Sequence, residues 1–227
     1  EVIPEPGDFY VKDVEVCRTS IVVTRGDDGE VRAFHNVCAH RGNKLAYDQS
    51  GNTKRLVCRF HGWAYDLEGA LRLVPDEDNW FDLDKSCHGL TPVAVDVWEG
   101  FVFVNFDQDA GPLTEYLGVL PEHWEAWGLA DRYIETHLRK RLPCNWKAAA
   151  EAFIEAYHVR ETHATGQAGD EVTAQYDVFA PNVSRFIHTI GMDGPERPVP
   201  RTEEEMLGHL TRNIRHGMEP LDLPDGM

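Results

Sequence analysis

Two cysteine–histidine pairs stand close together near the start of the chain: Cys38-Ala39-His40 and Cys58-Arg59-Phe60-His61, with 17 residues between them. Thiolate and imidazole are both good donors for transition metals, and two of each suffice for a tetrahedral zinc ion or for an iron–sulfur cluster. Zinc ligand pairs are usually separated by two or more residues, so that both reach one ion from a tight knuckle. The single residue inside Cys38-x-His40 suits reaching two metals as well as one. Glycines follow both pairs, at Gly42 and Gly62, and a residue without Cβ lets backbone N–H groups approach a bound group. Cys17, Cys87 and Cys144 have no paired spacing and are expected to be buried as small apolar side chains.

A second set of metal-binding types lies in Asn145–His163. Asn145 reads as a helix cap before a helix over Trp146 to Val159. On that helix Glu151, Glu155 and His158 fall at i, i+4 and i+7 and share one narrow face. His163 lies five residues after His158, so both reach one metal only if the helix ends between them, which Arg160-Glu161-Thr162 permits. A Glu/His stripe is also the composition of a solvated helix face, and by itself the stripe does not decide between the two.

The pairs with their neighbours, Cys38-Ala39-His40-Arg41-Gly42 and Cys58-Arg59-Phe60-His61-Gly62-Trp63, resemble the two loops of Rieske proteins. Asn145-Trp146-Lys147 followed by Glu151-x-Phe153-x-Glu155-x-Tyr157-His158-x4-His163 resembles the catalytic domain of Rieske non-heme iron oxygenases, specifically the α subunit of aromatic-ring-hydroxylating enzymes. The resemblance covers nearly the whole chain in the expected order. It implies a [2Fe–2S] cluster with Cys38 and Cys58 on one iron and His40 and His61 on the other, and a mononuclear Fe(II) bound by His158 and His163. Replacing two thiolates by neutral imidazoles removes negative charge and raises the potential of such a cluster. Glu155, three residues before the first iron histidine, is implied to link the iron to the Rieske histidine of a neighbouring subunit. The family's third iron ligand, an aspartate, is expected beyond Met227, and the start also enters part-way through the first Rieske strands, so the chain is expected to be truncated at both ends.

The resemblance further implies a ferredoxin or flavin reductase as electron donor, O₂ and an apolar, aromatic substrate as reactants, and a homotrimer or hetero-oligomer as the full-length assembly. Ring hydroxylation, monooxygenation and demethylation share this machinery. A Rieske-type electron carrier, or a non-catalytic relative without the mononuclear iron, is the alternative.

The formal net charge of −17 repels phosphate and argues against nucleic-acid binding. No run approaches the ~18 consecutive apolar residues of a membrane span, and the acidic, proline-broken Glu1-Val2-Ile3-Pro4-Glu5-Pro6 does not resemble a signal peptide, so export is not expected. A cytoplasmic protein is expected. The five cysteines are an odd number without an export signal, which argues against a disulfide framework.

The elements that must carry these residues divide into two halves, and the fold class is α+β. Ile21–Thr24 and Val31–Phe34 around Gly26-Asp27-Asp28-Gly29, Trp63–Tyr65 and Ala70–Leu73 around Glu68-Gly69, and Val93–Val97 and Phe101–Val104 around Glu99-Gly100 read as hairpins. Residues 1–110 are therefore expected to form an all-β Rieske domain and 111–132 connecting helices, with Leu113–Gly128 broken at Pro121. Residues 133–227 are expected to be the N-terminal part of a helix-grip catalytic domain. It would hold a strand over Tyr133–Leu142, extended chain over 172–190, and a last helix carrying Met206, Leu207, Leu210 and Ile214 behind a Thr202/Glu205 capping box. Tyr176, Val178, Phe186 and Ile187 could line a substrate pocket or serve as strand core.

Overall fold

The structure is a computed structural model that describes residues 2–138, 140–155, 157–158, 174–180 and 182–187. The chain divides into two compact units, Glu1–Thr136 and His137–Met227.

The first unit is built from antiparallel hairpins: β1 (Asp8–Val14), β2 (Thr19–Arg25), β3 (Val31–His35), β4 (Ser50–Asn52), β8 (Pro92–Trp98) and β9 (Phe101–Asn105) form a sheet in the order β4-β1-β2-β3-β8-β9. Three short strands, β5 (Leu56–Val57), β6 (Ala64–Tyr65) and β7 (Leu71–Leu73), form a second sheet. Alternation along β2 sends Ile21 and Val23 to one face, where they pack with Ile3, Ala33 and Val93. Val22 goes to the other face, into a larger core with Phe9, Val11, Phe34, Leu56, Trp63, Tyr65 and Leu71. Each of these large side chains contributes about 2 kcal/mol when fully buried. Thr24, fully buried on the same strand, crosses between the sheets by donating its hydroxyl to the Leu67 carbonyl at 2.8 Å.

The turns are closed by local side-chain acceptors and by glycine. Asp28 accepts from the Glu30 N–H at 3.0 Å and from the Arg32 guanidinium at 2.7 and 3.0 Å. Asp66 accepts from Glu68 and Ala70 N–H groups at 3.1 and 2.7 Å. Gly69 (φ +88°) brings its backbone so close to the Phe34 ring that a Cβ would overlap it, so a glycine is required there. In the third hairpin Glu99 and Gly100 both have positive φ, 50° and 81°, the backbone of a type I′ turn that matches strand twist.

Three expectations need correction here. The helical segment divides into α1 (Leu113–Leu117) and α2 (Leu120–Trp124), but the break falls at Gly118, with Pro121 seated within the first turn of α2, where a missing N–H does no harm. Tyr133–Leu142 forms no strand among its described residues; Tyr133, Ile134, Leu138 and Leu142 are all exposed, and an apolar pattern without a ladder partner or a face to bury does not become a strand. Cys17, Cys87 and Cys144 are exposed. Cys17 and Cys87 lie in single 3₁₀ turns with no buried residue.

The second unit contains α3 (Trp146–Glu151) and a hairpin of β10 (Gln175–Phe179) and β11 (Val183–Ile187). Extended chain was expected there, and the cross-strand pair Tyr176–Phe186 stacks at 5.3 Å. Asp177 accepts from Arg185 at 2.6 and 2.9 Å on the paired positions. Tyr176, Val178 and Ile187 are exposed. The capping box at Thr202 and the helix after it lie outside the described residues. No helix among the described residues is long and apolar enough to cross a membrane.

Candidate metal centre

Both cysteine–histidine pairs sit on turns of the same construction, each carried by one of the two sheets. In the first, the Cys38 N–H donates to the Asn43 carbonyl at 2.8 Å and the Gly42 N–H returns to the Cys38 carbonyl at 3.0 Å. In the second, the Cys58 N–H donates to the Trp63 carbonyl at 2.8 Å and the Gly62 N–H returns to the Cys58 carbonyl at 2.9 Å. Gly42 and Gly62 share φ of +73°, a conformation glycine adopts without strain. The bridge Val37–Lys44 closes the mouth of the first turn and the β5–β6 ladder that of the second. One extra residue in the second pair therefore leaves the closure unchanged, since both turns end four residues after the cysteine.

Cys38 and Cys58 are each 2% exposed and belong to one hydrophobic core. Burial pushes the Cys38 thiol up. Burial acts on Cys58 in the same sense, but backbone N–H groups of Phe60 and His61 and the Asn43 amide, 3.8 Å from the sulfur, hold it below the ordinary thiol range. Burial thus dominates at Cys38, whereas the hydrogen-bond donors together outweigh it at Cys58, and a bound cation would displace the thiol protons. The Tyr65 hydroxyl lies 3.2 Å from Cys38 Sγ and accepts the Ala39 N–H at 3.1 Å. Tyr65 is fully buried, and burial followed by its contact with the Cys38 sulfur pushes its ionisation up, so it stays a neutral hydroxyl that can donate.

The His40 and His61 rings are 4.6 Å apart, edge to face. His40 lies parallel to the buried Trp63 at 4.7 Å, with Trp80 edge-on at 5.4 Å. Its Nδ1 is buried without a hydrogen-bond partner among the described residues, which is costly for a polar atom unless a ligand meets it. Burial, then the neighbouring His61 and Arg41, hold the His40 imidazole below its ordinary pKa, so it is neutral and carries a lone pair. His61 is exposed beside Phe60, ring to ring at 3.9 Å. The two buried sulfurs share one core and the two imidazoles stand side by side, the donor set of a cluster with mixed thiolate and imidazole ligands.

The second constellation does not have the geometry expected of it. Asn145 caps α3 as anticipated, accepting the Lys147 N–H at 2.9 Å, but the helix ends at Glu151. The next N–H groups, of Phe153 and Ile154, bond three residues back, at 3.0 and 3.2 Å, the tighter 3₁₀ pattern of a fraying end. Glu151, Glu155 and His158 therefore do not share a helix face. Glu155 and His158 are joined instead by a local turn: one carboxylate oxygen accepts the His158 N–H at 3.1 Å and the other meets His158 Nδ1. Desolvation opposes the charge, but these hydrogen bonds hold the Glu155 carboxyl below the usual carboxylate range. His163 lies outside the described residues.

Two family matches divide the chain at these same two constellations. Residues 3–98 match the Rieske [2Fe-2S] domain. Residues 124–219 match the ring hydroxylating alpha subunit catalytic domain. The chain belongs to the Rieske oxygenase α-subunit family. The Rieske domain carries a [2Fe–2S] cluster and the catalytic domain of this family a mononuclear Fe(II).

Relatives of this Rieske α-subunit include the large oxygenase component of the naphthalene 1,2-dioxygenase system of Pseudomonas putida, 39% identical over 72% of this chain and 38% of the relative. The glycine betaine monooxygenase oxygenase subunit of Pseudomonas aeruginosa (strain UCBPP-PA14) is 31% identical over 71% of this chain and 37% of the relative. Among solved structures, the quaternary ammonium Rieske monooxygenase CntA in complex with L-carnitine superposes with a TM-score of 0.70 at 28% identity, over 78% of this chain and 51% of that one. Naphthalene 1,2-dioxygenase from Rhodococcus sp. bound to indole gives 0.66 at 28% identity, over 93% of this chain and 51% of that one. The chain thus spans well under two thirds of the length of these relatives.

Three supporting residues of the Rieske site escaped sequence reasoning. Asn36, 1% exposed, accepts Leu45 and Ala46 N–H groups at 3.2 and 2.9 Å and donates to the Ala46 carbonyl at 2.8 Å, tying the start of the first turn to its far end. Asn43 reaches the Cys58 sulfur across the two turns. Tyr65 does the same for Cys38 from β6. All three sit outside the Cys/His spacing, and an Asn or Tyr near a turn carries no local sign of a long-range acceptor.

Proposed function

We propose that the full-length protein is a terminal oxygenase component, taking electrons at a [2Fe–2S] cluster held by Cys38, His40, Cys58 and His61 and using them at a mononuclear iron held in part by His158 and His163. The observation that carries this reading is the convergence of two matching turns, with both sulfurs in one core and the two imidazoles side by side. The cluster would supply one-electron transfer, and the mononuclear iron would supply O₂ activation for oxygen insertion into an apolar, aromatic substrate.

The residues contribute the following. Cys38 and Cys58 bind within a dry core, and the Tyr65 hydroxyl stabilises negative charge on the Cys38 sulfur. Trp63 and Trp80 orient the His40 ring, and His61 stays open to a partner. Glu155 engages His158 Nδ1, which would leave Nε2 for the metal and hold the ring, the usual task of a carboxylate behind a ligand histidine. The same carboxylate is the bridge toward the Rieske histidine of a neighbouring subunit. Residues 1–110 act as the Rieske domain, 111–132 as its connection, and 133–227 as the N-terminal part of the catalytic domain. A ferredoxin or flavin reductase supplies electrons to a cytoplasmic homotrimer or hetero-oligomer.

Iron, zinc and acid-labile sulfide per chain, measured after anaerobic preparation with Fe(II), test the metal assignment. Two sulfides with two irons are expected, with a third iron in the full-length protein. Zinc without sulfide overturns the cluster assignment, and two irons without the third favour an electron carrier. Relatives acting on quaternary ammonium compounds make a cationic substrate the second reading. Product formation by the full-length protein from naphthalene, with none from L-carnitine or glycine betaine, supports the aromatic substrate; the opposite pattern replaces it.

A further inference from the structure

We infer that Trp80 is a positioning residue for His40, holding the imidazole by its ring edge where no hydrogen bond does. The inference rests on the cluster assignment proposed above and concerns a residue outside both Cys/His turns. Three rings form one closed group: His40 lies 4.7 Å from Trp63 and parallel to it, at 11°, and Trp80 stands edge-on to His40 at 5.4 Å (77°) and to Trp63 at 5.5 Å (66°). His88 meets Trp63 edge-on at 5.7 Å (72°). Edge-to-face and stacked contacts at these distances are the preferred arrangements of aromatic rings and define ring orientation as well as burying area.

Orientation is what His40 lacks from other sources. An imidazole is ordinarily fixed by a hydrogen bond to the nitrogen that does not bind metal, or by the ligand itself. His40 Nδ1 is buried with no protein partner among the described residues, which leaves it to meet the cluster, and the tilt of the ring about that bond is set by the rings around it. Trp63 supplies one wall as part of the core, at 2% exposed, and Trp80 supplies the second while remaining 39% exposed. A tryptophan whose role was core packing would be more deeply covered. Its segment is built to deliver it: Asp76 takes a left-handed conformation (φ 52°), Glu77–Asn79 make one 3₁₀ turn, and Trp80 returns to extended backbone. Lys85 anchors the turn through Glu77 at 2.9 Å.

The consequence is an asymmetric pair of histidines. His40 is walled by Trp63 and Trp80, whereas His61 is exposed next to Phe60. Removing the Trp80 wall would let the His40 ring adopt more than one tilt and admit water beside it. Solvent favours the more highly charged, reduced state of a cluster with two thiolate ligands, so the reduction potential would rise.

The test is electron paramagnetic resonance of the dithionite-reduced protein together with a redox titration, on the cluster-loaded chain and its Trp80→Ala and Trp80→Phe variants. With two labile sulfides per chain in each, W80A is expected to broaden the signal and raise the midpoint potential, and W80F, which keeps an aromatic edge, to restore both. A W80A protein indistinguishable from the parent in signal and potential overturns the inference, as does a W80F protein that behaves like W80A. Should W80A fail to take up the cluster, W80F decides: a parental signal and potential support the ring-edge role, and altered ones overturn it. A parent chain without labile sulfide overturns the cluster assignment itself, a result distinguishable from all of these.

Discussion

The two candidate metal-binding regions of this Rieske α-subunit differ in the range of the contacts that shape them. The Cys/His turns are cross-linked by contacts between residues far apart in sequence: Asn36 to Ala46, Asn43 to Cys58, Tyr65 to Cys38 and Thr24 to Leu67. The Glu155–His158 pair is held by contacts three residues apart, at the end of a six-residue helix. A cluster site needs four ligands from two turns in one geometry, and only a packed core holds two turns in register. A histidine backed by a carboxylate needs one local turn.

The largest expected effect separates the two regions outright. Cys58→Ala removes a core sulfur proposed as a cluster ligand, and the visible absorption and labile sulfide of the chain should disappear. His158→Ala in the full-length protein should abolish turnover while leaving that absorption intact. Loss of the absorption in H158A, measured on protein of equal helix and sheet content, would end the claim that the sites are independent.

A smaller effect tests the cross-linking of the turns. Asn36→Ala leaves two buried N–H groups of Leu45 and Ala46 without their acceptor and should cost about 3 kcal/mol of stability, read by urea denaturation. An equivalent loss at Asn145, which caps α3 by one exposed hydrogen bond, should be only about 1 kcal/mol. Equal losses at the two positions would erase the contrast between the regions.

Tyr65→Phe keeps the ring in the core and removes the hydroxyl. Loss of a donor to the Cys38 sulfur destabilises the reduced cluster, so the midpoint potential should fall by about 50–100 mV, equivalent to about 1–2 kcal/mol. A redox titration showing no change would mean that the hydroxyl serves only the Ala39 N–H.

The smallest effect lies in the turn between β2 and β3. Asp28 is held at a pKa of about 2, first by the Arg32 guanidinium and then by the Glu30 N–H. Its folded value is below the unfolded one near 3.8, so its contribution is fully present above about pH 4 and fades as pH falls toward 2. Asp28→Asn should lower stability slightly at pH 6 and progressively less as pH falls through 2. A difference that does not shrink over this range would mean that turn geometry, and not charge, is at work.

How much of this was legible beforehand follows from the range of the interactions. The hairpins at Gly26–Gly29, Glu68-Gly69 and Glu99-Gly100 were readable because turn chemistry is local: a positive φ or an Asp accepting two residues ahead needs no distant partner. The Cys/His pairs stood out because ligand types at fixed spacing are rare without a metal, and both lie on matching turns. The run from Tyr133 to Leu142 misled because alternation says which face would be buried and not whether anything is there to bury it. The helix over Trp146–Val159 was overextended for a related reason. Its periodicity continued past Glu151, but propensity decides little without packing, and the Glu155 side chain takes the His158 N–H that the helix would have used.

By itself, then, the sequence determined the ligand types, their order along the chain, the turns that bear them and the α+β class. Only the tertiary structure decided which side chains stand behind those ligands: Tyr65 and Asn43 at the sulfurs, Asn36 across the first turn, and Trp63 with Trp80 at His40. Ligands must be spaced for one short stretch of backbone to present them, which leaves a mark in the sequence. Their supports are recruited wherever the fold brings a donor or a ring within reach, and that proximity is created by burial of the core between the two sheets.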